Sequence, residues 1–185
     1  MTPLRHFVLL ALVLFLGCRR EPDLTKLYPV PDFSLTDQTE KTVTLGNLKG
    51  RVWIADFIFT NCGGTCPLMT GKMRRLQEAL PADIRMVSFS VDPERDTPTA
   101  LAAYAAENGA SAGWLFLTGD KQSLYDLCVK GFKLPLDSQG GTAAEPIAHS
   151  TRFVLVDKDG VIRGYYSGTE DEELTRLATD AEKLL

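Results

Sequence analysis

Two cysteines and one histidine are the residues in this sequence best suited to chemistry. Cys62 and Cys66 have three residues between them, and they follow a nearly continuous apolar run that begins at Val52. Pro67 is typical of the first turn of a helix, because its missing N–H would have no partner there. Cys66 therefore lies at a predicted helix N-terminus, where the helix dipole favours a thiolate. Two thiols placed in this way form either a redox pair or a site for a soft metal.

His149 is the one histidine that remains after a predicted N-terminal signal containing His6 is removed. It lies just before the predicted strand 152–156, which we expect beside the strand 52–59 that leads to the cysteines. A lone histidine is more often a solvated or core residue, but this position favours a ligand. Two thiolates and an imidazole form a soft trigonal site, which selects copper(I) over hard ions and lacks the fourth protein ligand of a structural zinc site.

A passive disulfide is the structural alternative for the cysteine pair. Cysteines so close in sequence would close only a short loop, so their disulfide would stabilise the fold little. Cys128 shares a predicted helical face with Leu124 and Leu127, and this pattern predicts burial as a small apolar residue. Met69 and Met73 recur at helical spacing, which favours core packing over metal binding.

The first 17 residues are typical of an export signal. Arg5 precedes an apolar run too short to span a bilayer, and the run ends in LFLGC, which resembles a bacterial lipoprotein signal with Cys18 as the acylated residue. We therefore predict a signal in 1–17, a tether in 18–30 and one domain in 31–185. The domain would face outward from the bacterial cell membrane on a lipid anchor. Secretion with an unmodified Cys18 is the alternative.

The charge balance limits the classes of partner. The chain has 24 acidic against 20 basic residues and a formal net charge of −4. An acidic chain of this kind is a poor match for nucleic acid or for electrostatic docking on an anionic membrane. We therefore expect no nucleic-acid partner, and we expect the membrane to be reached through the lipid anchor alone.

Apolar patterning predicts strands that alternate with helices. The predicted elements are a small hairpin at 33–35 and 42–45, strands at 52–59, 84–91, 114–117, 152–156 and 161–166, and helices from Pro67, from Pro98, over about 120–130 and after a capping box of Thr169 and Glu172. The cysteines lie at the first strand-to-helix turn of the main sheet. This order predicts an α/β, thioredoxin-like fold: a central mixed sheet flanked by helices, with an N-terminal β-hairpin.

Three motifs in this order resemble those of the Sco/SenC family. They are FIFTNC followed by CP within residues 57–67, SVDPERDTP at 90–98, and AHS at 148–150. The resemblance covers roughly Val30 to Leu185. It implies a thioredoxin-like copper metallochaperone that helps to build the binuclear copper centre of cytochrome c oxidase.

The resemblance also implies roles for individual residues and partners. Cys62, Cys66 and His149 would bind copper, and the two cysteines would form a redox-active disulfide when oxidised. Asp92 and Asp96 could shape the site from behind the ligands or form part of a partner surface, although turn and cap roles in the strand-to-helix connection explain them about as well. Of the two, Asp92 is kept as a weaker candidate. The implied partners are the copper-centre subunit of the oxidase and either a copper donor or a thiol reductase. Residues 63–65 depart from the family pattern, because many relatives carry Pro or an acidic residue there.

Alternatives from other functional classes remain open. A thiol–disulfide oxidoreductase that keeps the oxidase cysteines reduced would be an enzyme, and it would need only the cysteine pair. Such enzymes usually have two residues between the cysteines and a proline where His149 and Ser150 stand. A peroxiredoxin shares the fold, but its active-site pattern is absent from this sequence. A copper or redox sensor is a further alternative.

Overall fold

The structure, a computed structural model, describes residues 24–137 and 147–185. The predicted signal, Cys18, residues 19–23 of the predicted tether and residues 138–146 of the loop before His149 lie outside the described residues. Within the described ranges, we find no helix that combines the length and the apolar character needed to cross a bilayer.

Most strands belong to one sheet of seven. In chain order the strands of the described residues are β1 (Ser34–Asp37), β2 (Thr42–Thr44), β3 (Trp53–Ile58), β4 (Arg85–Ser90), β5 (Trp114–Thr118), β6 (Leu136–Asp137), β7 (Ala148–His149), β8 (Arg152–Val156) and β9 (Ile162–Ser167). The large sheet has the order β2-β1-β5-β4-β3-β8-β9, and β6 pairs with β7 separately. Strands β3, β4 and β5 are parallel, whereas β8, β9 and the β1–β2 hairpin pair antiparallel. The predicted mixed sheet and N-terminal hairpin are confirmed.

Five α-helices accompany the sheet in the described residues. They are α1 (Leu45–Leu48), α2 (Cys66–Ala79), α3 (Pro98–Glu107), α4 (Lys121–Asp126) and α5 (Asp171–Glu182). The starts of α3 and α4 have side-chain caps. Thr97 Oγ1 accepts a hydrogen bond from the Ala100 N–H at 3.3 Å, and Asp120 Oδ1 accepts one from the Ser123 N–H at 2.8 Å.

Two helix predictions need correction. The capping box of Thr169 and Glu172 is wrong, because Glu170 occupies the cap position of α5 and its side chain makes no capping hydrogen bond. The Thr169 hydroxyl instead pairs with the Ser167 hydroxyl at 3.0 Å. The single helix predicted over about 120–130 is α4 followed by a π-helical turn, Leu127–Gly131. A π turn preserves the apolar spacing closely enough that the sequence pattern does not reveal it.

The core is densest around β3. All six residues of β3 are buried, and since successive side chains point to opposite sides, both faces of this strand are covered. Phe57 stacks on Phe89 of β4 with 5.1 Å between ring centroids. Met69 and Met73 of α2 are fully buried, which confirms their predicted packing role. Cys128 is also fully buried, as its helical face predicted.

Candidate metal centre

The structure brings the three predicted ligands into one cluster. The two Sγ atoms of Cys62 and Cys66 and a ring nitrogen of His149 all lie within 4.8 Å of one another. Cys66 Sγ is 3.2 Å from His149 Nε2. Cys62 and Cys66 are 8% and 1% exposed, whereas His149 is half-buried and reaches the surface. In the part of the chain that the structure describes, this is the one group of three or more metal-ligating side chains.

The topology of the sheet explains how distant residues meet. Strands β3 and β8 are antiparallel neighbours, with Ala55 opposite Val154. The end of β3 that leads to Cys62 therefore lies beside the beginning of β8, just after His149. Cys66 is the first residue of α2, and its loop from β3 returns it to the same edge. The β6–β7 pairing, in which Leu136 faces His149, fixes the histidine from its other side.

His149 is oriented so that Nε2 can bind a metal. Its Nδ1 lies 3.1 Å from the Ser150 carbonyl oxygen, which can only accept a hydrogen bond, so Nδ1 carries the proton. In a neutral imidazole the other nitrogen, Nε2, then presents its lone pair to Cys66 Sγ. The Phe59 ring packs against the imidazole at 5.6 Å and at 83°, and this contact restrains its rotation.

Burial dominates the electrostatics of Cys66. The low-dielectric surroundings raise the pKa of the Cys66 thiol, and its hydrogen bond with the Cys62 side chain raises that pKa further. The expectation that the start of α2 favours a thiolate at Cys66 is therefore outweighed in the metal-free protein. A metal that binds here must displace the thiol protons, so binding will release protons to solvent.

Asp96 holds the loop that leads to Cys62. Its fully buried carboxylate accepts hydrogen bonds from the Thr60 hydroxyl and the Ser90 hydroxyl, both at 2.6 Å, and from the Thr60 N–H at 3.2 Å. Burial raises the pKa of Asp96 despite these donors. Thr60 is two positions before Cys62, so Asp96 fixes the backbone from which the first cysteine extends.

Asp92, the residue proposed from the sequence, makes different contacts. Its carboxylate pairs with Arg95 at 3.0 Å, and its N–H donates to the Ser90 hydroxyl. Neither of these contacts involves the cysteine loop, so the role of Asp92 stays a prediction. Both aspartates belong to the motif SVDPERDTP, but sequence alone does not show which of them points toward Thr60.

Asp56 is an acidic residue near the site that sequence reasoning missed. It lies in the middle of β3 with no exposed surface, and burial raises its pKa to about 7. One carboxylate oxygen accepts a hydrogen bond from Ser88 at 2.6 Å, while Oδ2 has no partner among the described residues. Its charge also contributes to the raised pKa of Cys66, which places it close to the site. The apolar run around Asp56 was the available signal, since a carboxylate in a doubly buried strand is unusual.

Most of the chain matches one protein family. The model for the family described as SCO1/SenC matches residues 23–185. The SCO1 protein homolog of Bacillus subtilis (strain 168) is 41% identical over 160 residues, which cover 84% of this chain and 82% of the homolog.

Solved structures show the same similarity. A SCO1/SenC family lipoprotein from Bacillus anthracis str. Ames is 32% identical with a TM-score of 0.76, over 85% of this chain and 95% of that one. BsSco, whose structure identifies a disulfide switch in a member of the Sco family of cytochrome c oxidase assembly proteins, is 37% identical. Its TM-score is 0.73 over 86% of this chain and 98% of BsSco.

Proposed function

Because the chain belongs to the SCO1/SenC family, we propose that it is a copper metallochaperone that assists assembly of the binuclear copper centre of cytochrome c oxidase. The observation that carries this proposal is the cluster of Cys62, Cys66 and His149, whose ligand atoms lie within 4.8 Å of one another. Copper is the cargo of this site, which would receive the ion and pass it on.

The donor set supports copper over other metals. Thiolate ligands select soft ions such as copper(I), and imidazole is a good ligand for copper in either oxidation state. Structural zinc sites in proteins have four protein ligands, and this cluster supplies three.

The surroundings of the cluster support exchange of the ion with another protein. Gly63 and Gly64 are exposed, and Leu68, two positions after Cys66, is 50% exposed. The exposed loop between the two cysteines leaves the cluster within reach of a partner protein. A permanently enclosed site would suit a structural metal better than cargo.

The residues of the cluster have separate tasks. Cys62 and Cys66 lose their protons and bind copper as thiolates. His149 contributes Nε2, while its Nδ1–H stays on the Ser150 carbonyl and keeps the ring in place. Asp96 keeps the backbone before Cys62 fixed through Thr60.

The relatives support the oxidase role and the anchor. BsSco belongs to a family of cytochrome c oxidase assembly proteins and has a disulfide switch, so we propose the oxidase copper-centre subunit as the client and a reversible Cys62–Cys66 disulfide. The Bacillus anthracis relative is a lipoprotein, which supports a lipid-modified Cys18 and an outward-facing position on the bacterial cell membrane. A copper donor or a thiol reductase would then act before the transfer step.

Thiol–disulfide exchange is the second candidate function. It is favoured by the hydrogen bond between the two thiols, because this contact places the sulfurs close enough to be partners in one redox pair. This activity needs the cysteines but not the imidazole.

The test is oxidase activity in a strain that carries His149→Ala, measured together with the copper content of the purified variant. We expect thiol–disulfide exchange close to wild type, some copper(I) binding, loss of most copper(II) binding, and failure to assemble the oxidase. Added copper should partly restore oxidase in a strain that lacks the protein. Full oxidase activity with no copper in the His149→Ala protein would favour the reductase instead.

A further inference from the structure

A groove of about 720 Å³ lies directly beside His149. Its wall includes Tyr28, Lys133, Arg152 and Tyr165 together with the imidazole itself. We call this the His149 groove. The candidate copper ligand is therefore part of the surface that any molecule in the groove would touch.

Hydrogen bonds attach both aromatic residues of the His149 groove to the fold, Tyr28 through its backbone and Tyr165 through its hydroxyl. The carbonyl of Tyr28 accepts from the Ile162 N–H of β9 at 2.8 Å, which attaches the segment before the domain to the sheet. The Tyr165 hydroxyl donates to the Phe132 carbonyl at 2.9 Å. Tyr28 is nevertheless 48% exposed. A large aromatic side chain held at the surface costs little entropy on binding and is a frequent anchor of protein interfaces.

The charge of the groove is opposite to that of the chain. Lys133 and Arg152 are both exposed, and neither forms an ion pair with a carboxylate in the described part of the chain. Lys133 Nζ instead lies 6.0 Å from the centre of the Tyr28 ring. Most exposed cations of the described residues form an ion pair with a carboxylate, whereas these two place positive charge next to the ligand without one.

We propose that the His149 groove binds an acidic segment of the protein that accepts copper from this site. The inference rests on the proposed function and adds the partner's chemistry and its docking position. A segment with carboxylates would pair with Lys133 and Arg152 and pack its apolar parts between the two tyrosines. It would then lie against His149, so the acceptor's own ligands could reach the copper without a further movement of the donor.

Copper transfer between the loaded protein and the soluble apo copper-centre domain of the oxidase tests this inference. The groove variant is Lys133→Glu with Arg152→Glu. The matched control, Lys41→Glu with Lys49→Glu, makes the same change of charge at exposed lysines outside the groove. The wild type, the groove variant and the control should bind equal amounts of copper and melt at similar temperatures, because none of the substituted side chains is a ligand or a core residue.

At low ionic strength the groove variant should transfer copper at least about tenfold more slowly than the control, because electrostatic steering changes association rates by this amount or more. The difference should shrink in high salt, as screening shortens the reach of the charges. Tyr28→Ala should weaken association without changing its dependence on salt.

Three results would overturn the inference while leaving the proposed function intact. They are equal slowing in both double variants, no slowing in either, and faster transfer by the groove variant. A wild-type protein that binds copper but passes none to the apo domain would contradict the proposed function itself. In that case, association of the apo domain with the copper-loaded wild type, groove variant and control is measured directly. A selective loss in the groove variant supports the groove as the docking surface, and equal association overturns it.

Discussion

Cys66 Sγ and His149 Nε2 lie 3.2 Å apart although the residues are 83 positions apart in the sequence. The contact depends on the antiparallel pairing of β3 with β8, which places the start of one strand beside the end of the other. The donor atoms are therefore arranged before any metal arrives. Such preorganisation favours binding, because little chain entropy is lost when the ion enters.

Copper(I) should stabilise the reduced protein. A ligand that binds only the folded state at about 100 times its dissociation constant adds about 2.7 kcal/mol to the free energy of unfolding. Anaerobic urea unfolding with and without copper(I) measures this. Oxidation of Cys62 and Cys66 to the disulfide should remove the effect, because the ligand is the thiolate. Equal stabilisation of the oxidised protein would place the copper elsewhere.

Asp96→Ala should be more harmful than Asp92→Ala. Loss of the Asp96 carboxylate leaves the buried donors of Thr60 and Ser90 unsatisfied, and we expect a cost of about 3 kcal/mol in unfolding free energy. Copper affinity should also fall by about tenfold, as the loop before Cys62 loses its support.

Asp92→Ala is the matched comparison, since its partner Arg95 is 61% exposed and the pair should contribute no more than about 1 kcal/mol. Urea unfolding and a competitive copper(I) titration of both variants provide the measurement. A larger effect of Asp92→Ala than of Asp96→Ala, on the unfolding free energy or on the copper(I) affinity, would show that the contact of Asp96 with Thr60 does not hold the site in place.

Asp56 should make the stability of the metal-free protein depend on pH. Burial raises its pKa from 3.8 to about 7, so from about pH 4 to 7 the folded state keeps a proton that the unfolded state has lost. Stability from this group is therefore complete at low pH and is lost as pH rises through 7, by about 4 kcal/mol in all. Asp56→Asn cannot ionise and should remove this dependence.

The measurement for Asp56 is the difference in unfolding free energy between Asp56→Asn and wild type across this pH range. The difference should move steadily in favour of the variant as pH rises. Asp83→Asn, at an exposed carboxylate, is the control and should give a nearly constant difference. A constant difference for Asp56→Asn as well would show that Asp56 is ionised in the fold.

Cys18→Ser should release the protein from the membrane. The predicted lipoprotein signal makes Cys18 the point of acylation, and a signal without its cysteine leaves the tether with no anchor. Cell fractionation with detection of the protein in membrane and soluble fractions measures this. Cys128→Ser, which leaves the signal unchanged, is the control. If the Cys18→Ser protein stays with the membrane, then the anchor is not a lipid on this residue.

Much of the fold was predictable because local patterns and tertiary structure agree. The apolar run before Cys62 became β3, and Thr97 and Pro98 began α3 where the cap pattern placed them. The capping box predicted at Thr169 was wrong because the Thr169 hydroxyl pairs with the Ser167 hydroxyl instead. The local sequence pattern gives no sign of that contact. Short helix α1 and the π turn after α4 also gave no distinct signal in the sequence.

The candidate ligands were predictable, whereas the residues that support them were predictable only in part. Cys62, Cys66 and His149 are uncommon residue types in specific positions, so each is visible in the sequence. Asp96 and Asp56 act through contacts with Thr60 and Ser88, which lie on neighbouring strands or their ends. Which of several aspartates points inward depends on strand register, and register is set by the whole sheet.

Anaerobic copper(I) titration of the purified, reduced protein tests the central claim most directly. We predict one copper per chain for wild type and for Cys128→Ser, whose thiol is buried away from the cluster. Cys62→Ser and Cys66→Ser should each lose tight binding, because a hydroxyl is a poor ligand for a soft ion. Undiminished stoichiometry and affinity in either of these two variants would contradict the assignment of the site.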